Sequence, residues 1–129
     1  MAKRNLPKPT DSELEILQIL WQSGASTVKA VNEKLNEKKE TGYTTTLKLL
    51  QIMYEKNIVK RDENERSHVY KAAIDQNEIQ KVLLAKLLET AFSGSAANLV
   101  MQALGNIQPS KEELKKIKEL LYQIERDQK

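Results

Sequence analysis

Few residues in this chain are of types that could do covalent chemistry. It has no cysteine and a single histidine, His68. Disulfides, thiolate nucleophiles and thiolate metal sites are therefore excluded. A lone imidazole without clustered carboxylates is not a metal centre, and without a nucleophile or substrate pocket beside it it is not a general base. No glycine-rich phosphate loop and no paired acid/base site occurs in the sequence. These absences argue against an enzyme, and no cofactor or metal is expected. What remains is hydrogen-bonding chemistry on a surface. Thr44, Thr45, Lys48, Gln51 and Glu55 fall on one side of a helical spacing, with Thr46, Leu50 and Met53 on the other and Leu47 and Leu49 flanking. Lysine can donate to guanine O6 or N7, glutamine can pair bidentately with adenine, and a threonine methyl can meet the thymine methyl. The same side chains would serve equally as a plain solvated helix face. Their setting has to decide.

The setting is a run of short helices. Thr10 and Glu13 have capping-box spacing, and Leu14, Ile16, Leu17, Leu20 and Trp21 follow at helical intervals until Gly24. A second helix is predicted from Ser26 or Thr27 to Asn36, burying Val28, Val31 and Leu35. A polar loop with Gly42 leads to a third, from near Thr44 to near Lys56, with Asn57 where a left-handed cap residue is wanted. The period then changes. Ile58 to Asp62 and Ser67 to Ala72 read as two strands around a polar tip of Glu63, Asn64, Glu65 and Arg66. Three helices followed by a charged hairpin predict a mainly α chain built on a winged helix-turn-helix, its wing a small β-hairpin. Trp21 and Tyr70 are expected in the core.

Charge is placed unevenly. Residues 1–74 hold 13 Lys/Arg against 10 Asp/Glu, and residues 75–129 hold 8 against 8. All the surplus lies in the N-terminal part, where contact with a polyanion would need it. Candidate phosphate donors around the third helix are Ser26, Thr27 and Lys29 at the start of the second helix. Thr41 and Tyr43 stand just before the third, and Lys60, Arg61, Arg66 and His68 belong to the hairpin. Glu63 and Glu65 argue against a wing tip lying deep in a groove, and Arg66 is the strongest candidate of that loop.

From Asp75 the pattern is helical again. Ile79, Val82, Leu83, Leu84, Leu87, Leu88, Ala91 and Phe92 make an apolar face too wide for a lone surface helix. Ser93-Gly94 breaks it. A small-residue helix from Ser95 to Leu104 carries Leu99 and is expected to stop at Gly105. Ser110 and Glu113 open a last helix whose Leu114, Ile117, Leu121 and Ile124 recur at heptad-like spacing. Residues 75–129 thus read as a three-helix dimerisation region, with Ile79, Leu83, Leu87, Leu99, Leu114, Ile117, Leu121 and Ile124 as its interface, and residues 1–74 as a separate winged-helix domain. Neither a signal peptide nor a membrane-spanning run is visible, so the expected location is the cytoplasm.

The segment Ser12-Glu13-Leu14-Glu15-Ile16-Leu17-Gln18-Ile19-Leu20-Trp21 resembles the opening helix of the penicillinase-repressor family. Tyr43-Thr44-Thr45-Thr46-Leu47 with Leu50 and Met53 resembles the start of that family's recognition helix. Lys56, Ile58-Val59, Arg61 and Val69-Tyr70 continue the likeness through the wing. The resemblance implies a homodimeric repressor on a palindromic operator in double-stranded DNA. In some members a membrane-sensor metalloprotease triggers cleavage in the tail, so such a sensor is the further partner implied. Three departures stand out. Gln51 and Ile52 replace basic residues, Asn57 replaces a glycine, and Val100-Met101-Gln102-Ala103 stands near the Asn-Phe pair that is cleaved in the antibiotic-responsive members. The cysteine pairs of the copper-sensing members are absent. The modest charge surplus keeps a second reading open: a winged-helix module that binds another protein and not DNA.

Overall fold

The computed structural model describes residues 8–63 and 68–128, and it divides into two compact units, Met1–Val82 and Leu83–Lys129. The first holds helices α1 (Asp11–Ser23), α2 (Val28–Asn36) and α3 (Tyr43–Glu55) with strands β1 (Ser26–Thr27), β2 (Val59–Asp62) and β3 (Val69–Ala72). Helix α4 (Gln76–Phe92) runs across the division, and α5 (Ala96–Asn106) and α6 (Lys111–Asp127) belong to the second unit. The chain is mainly α with a small antiparallel sheet, as the period of its apolar residues predicts.

Each helix of the first unit begins and ends for a local reason. Thr10 caps α1 through a complete box: its Oγ1 accepts from the Glu13 amide at 3.2 Å and its own amide donates to Glu13 Oε1 at 2.9 Å. Gly24 closes the helix at φ 77°, in a conformation that a side chain would strain. Thr27 caps α2 by accepting from the Ala30 amide. Helix α3 ends in a Schellman arrangement. Asn57 adopts φ 65°, its amide donates to Tyr54 O, and the Ile58 amide donates to Met53 O. Asn in place of glycine is accommodated there.

The core of this unit is drawn from every element. Ile16, Leu17 and Leu20 of α1 meet Val28, Val31 and Leu35 of α2, Leu50 and Met53 of α3, and Ile58, Val59 and Tyr70 of the hairpin segment, all buried. Tyr70 lies on the middle strand, because the sheet order is β1-β3-β2 with both pairings antiparallel. Trp21 is half-buried, and its indole N–H donates to Ile74 O at 3.0 Å, which pins α1 to the segment leading into α4. The Glu13 carboxylate, 2 % exposed, also takes the Lys56 ammonium at 3.0 Å and so joins the start of α1 to the end of α3. A carboxylate that deep needs such a partner.

Three expectations are corrected. The wing is part of a three-stranded sheet, since Ser26 and Thr27 pair with Tyr70 and Val69 as a third strand before α2 starts. Gly105 lies inside α5, which runs on to Asn106 and stops at Ile107. Ile79 is fully buried and belongs to the first unit rather than to an open apolar face. The first unit accordingly extends past residue 74.

In the second unit none of the described residues is buried. Its helices are well made: Ser95 caps α5 by accepting from the Asn98 amide, and Ser110 caps α6 by accepting from the Glu113 amide. Yet Leu84, Leu87, Val100, Met101, Leu114, Leu121 and Ile124 are exposed, and Leu83, Leu99 and Ile117 are half-buried.

Candidate nucleic-acid interface

Helix α3 lies as the spacing requires. Thr46, Leu50 and Met53 are buried, Leu47 and Leu49 are half-buried, and Thr44, Thr45, Lys48, Gln51 and Glu55 are exposed. The burial of one stripe therefore fixes which side chains the helix offers outward. Gly42 precedes α3 without a side-chain cap, so the first amides of this helix have no side-chain acceptor, unlike those after Thr10, Thr27, Ser95 and Ser110. Tyr43 opens the helix and is about half exposed.

The turn between α2 and α3 is held by side chains that sequence reading passed over. Asn32 Nδ2 donates to Thr41 O at 2.9 Å and to Thr46 Oγ1 at 2.8 Å. Asn36 Nδ2 donates to Thr41 O at 2.9 Å, and its Oδ1 accepts from the Thr41 amide at 3.0 Å. Thr46 Oγ1 in turn donates to Gly42 O at 3.3 Å. Thr41, a candidate phosphate donor, thus has its amide and carbonyl engaged within the turn, and its hydroxyl donates to Lys39 O. The one available sequence signal was a pair of asparagines four apart on α2, which helix propensity alone does not favour.

The remaining candidates separate into open and engaged groups. Lys29, Lys60 and His68 are exposed. Thr27 is half-buried, with its hydroxyl capping α2. Ser26 is buried in β1, and its hydroxyl donates to Gly24 O at 2.9 Å, which corrects its place among the phosphate donors. Arg61 is engaged as well: its guanidinium stands 4.1 Å over the Tyr54 ring and pairs with Glu63, leaving the side chain 19 % exposed. Arg61 faces Tyr70 across the ladder, and this neighbour first, then Glu63, raises its pKa above the ordinary value. Among the described residues, Tyr70 Oη and Arg61 Nε are both buried without a hydrogen bond of regular geometry. Arg66 lies outside the described residues.

No group of three His, Cys, Asp or Glu among the described residues could hold a metal ion, and no helix among them is long and apolar enough to cross a membrane.

A helix, a tight turn, a second helix with a polar outer stripe and a strand-bordered hairpin define a winged helix-turn-helix. Solved structures agree on that fold. A MarR family protein from Bacillus stearothermophilus superposes with TM-score 0.53 at 18 % identity, covering 95 % of this chain and 76 % of its own. The Bacillus licheniformis BlaI monomeric form in complex with the blaP half-operator superposes with TM-score 0.50 at 22 % identity, over 57 % of this chain and 90 % of that one. The chain belongs to the penicillinase repressor family, whose model matches residues 9–123. The penicillinase repressor of Bacillus licheniformis is 25 % identical over 121 residues, covering 94 % of this chain and 91 % of that protein. The transcriptional regulator BlaI of Mycobacterium tuberculosis is 30 % identical over 92 residues, 70 % of this chain and 65 % of that one. The members of this family are transcriptional repressors, not enzymes.

Proposed function

We propose that this chain is a transcriptional repressor that binds a palindromic operator in duplex DNA as a homodimer, with α3 in the major groove, acting in the cytoplasm. The observation that carries the reading is the outer stripe of α3. Thr44, Thr45, Lys48 and Gln51 are exposed together on the helix that follows the turn, with no large apolar side chain among them. The uncapped first turn of α3 suits a phosphate, and the exposed Lys29, Lys60 and His68, with Arg66 as the sequence's further candidate, would supply other phosphate donors. The DNA in the complex of the Bacillus licheniformis relative supports the same partner. DNA binding would fall to the first unit, and dimerisation to the helices that follow, through Leu83, Leu87, Leu99, Leu114, Ile117, Leu121 and Ile124. A membrane-sensor metalloprotease is the further partner the resemblance brings in. Val100-Met101-Gln102-Ala103 lies inside α5, so cleavage there would require that helix to unwind.

The test is binding of the full chain to duplexes enriched from a random library, titrated at two salt concentrations. Log affinity should fall with log salt at a slope of about −0.9 per phosphate neutralised, and the enriched duplex should carry an inverted repeat. Lys48→Ala should cost about 1–3 kcal/mol on that duplex and relax the preference at one position per half-site. Being exposed, it should change thermal stability by no more than about 0.5 kcal/mol. Equal affinity for all sequences would favour the protein-binding module instead.

A further inference from the structure

The asparagines of α2 connect the buried side of α3 to the turn that precedes it, and every bond in the connection has a defined direction. The Asn32 amide group is the donor to Thr46 Oγ1 and to Thr41 O. Thr46 can accept that bond because its own hydroxyl proton goes to Gly42 O. Asn36 is oriented by the Thr41 amide, which needs its Oδ1, so its Nδ2 is left to donate to Thr41 O and Asn32 O. Thr46 is fully buried, and Asn32 is the donor that meets the acceptor side of its hydroxyl. The connection ends in the same helical turn as Thr44 and Thr45 and just before Lys48, the exposed residues that would meet base edges.

Base readout tolerates displacements of only about 0.5 Å. Apolar contact is not directional, so it does not by itself orient the polar groups of a helix's leading turn. A hydrogen bond at 2.8 Å from a neighbouring helix is directional. We propose that Asn32, acting through Thr46 and Thr41, is the positioning residue that fixes the leading turn of α3 and thereby the sequence preference of Thr44, Thr45 and Lys48. This deepens the DNA reading above and rests on it. Asn32 itself touches no base or phosphate in this scheme, so its loss changes discrimination and not charge.

The experiment compares full-length wild type, Asn32→Ala, Thr46→Val and the double variant on a duplex enriched by the wild type and on its scrambled counterpart, at two salt concentrations. Asn32→Ala leaves Thr46 bonded to Gly42 and Thr41 O bonded to Asn36, so the fold should persist even where Thr46→Val proves less stable. Each single variant should lose about tenfold in preference for the enriched duplex, the double no more than either single, and the salt slope should stay that of the wild type. Backbone amide exchange should speed up at Thr46, whose amide donates to Gly42 O, and at Leu47 after it, and stay slow at Leu17 and Leu20. A folded Asn32→Ala protein that discriminates as well as the wild type overturns the proposal, whether or not its melting temperature falls. A wild type that enriches no duplex defeats the DNA reading itself, and the positioning role with it, before any variant is measured.

Discussion

Thr10 and Ser110 do the same work in the two units: each accepts a hydrogen bond from the amide of a glutamate three residues on and so starts a helix. The helices they start then differ. Helix α1 sets Ile16, Leu17 and Leu20 in a core, whereas α6 carries Leu114, Ile117, Leu121 and Ile124 at comparable spacing and buries none of them. Local signals and burial are separate requirements. A cap and an amphipathic stripe specify a helix, but most of a helix's stability in water comes from covering its apolar face. The first unit supplies that cover from within the chain. The second has well-made helices and no buried residue among those described, and in the proposed dimer a second copy would supply the cover, with each α6 stripe meeting apolar surface of its partner.

The contrast is broken most directly by charging the stripe. Ile117→Glu with Leu121→Glu should abolish the dimer and leave the first unit folded, because both residues lie in the second unit. Without its partner each winged helix holds one half-site, and affinity for the full operator should drop by about 10²–10⁴. Sedimentation at micromolar concentration and a parallel DNA titration check this. A variant that stays dimeric would place the interface elsewhere.

The complementary change is in the core. Leu50→Ala removes a fully buried side chain from α3 and should cost about 2–5 kcal/mol of stability. Denaturant unfolding should locate that loss in the first unit, with the dimer dissociation constant unchanged at low denaturant. Loss of dimer in this variant would mean that the two units fold as one, contrary to the comparison.

The same division explains what could be read in advance. Capping residues, the inward stripe of α3 and the left-handed Asn57 follow from neighbours within a few positions, and all three are where spacing puts them. What escaped depends on partners far along the chain. Strand β1 is two residues long and exists only because Tyr70 and Val69 come back beside Ser26 and Thr27. Arg61 reads as a free cation until the fold sets it over Tyr54 and beside Glu63. Asn32 has no reading of its own until Thr46 and Thr41 arrive. Ile79 reads as tail surface, yet the first unit takes it as core. Gly105 stays helical although glycine disfavours a helix interior by about 1 kcal/mol, a cost its neighbours in α5 outweigh.

The finest test uses the two caps themselves. Thr10→Ala and Ser110→Ala each remove one acceptor at a helix start, a loss of about 0.5–2 kcal/mol in either place. In α1 the loss falls on a helix whose core is internal, so it should appear as a lower unfolding midpoint that does not depend on protein concentration, with dimer dissociation unchanged. Glu13 keeps its pairing with Lys56 and limits the damage. In the proposed dimer α6 would gain its cover only on association, so the same chemical loss should appear in the association equilibrium and count once for each of two copies. At about 1 kcal/mol per helix, the dimer dissociation constant should rise by roughly tenfold or more, while the unfolding of the first unit stays as in the wild type. Dissociation measured by dilution, set beside melting curves at two protein concentrations, separates the two outcomes. If Ser110→Ala instead lowered a concentration-independent midpoint and left dissociation alone, α6 would be stabilised within its own chain, and the proposed role of its apolar stripe would fall.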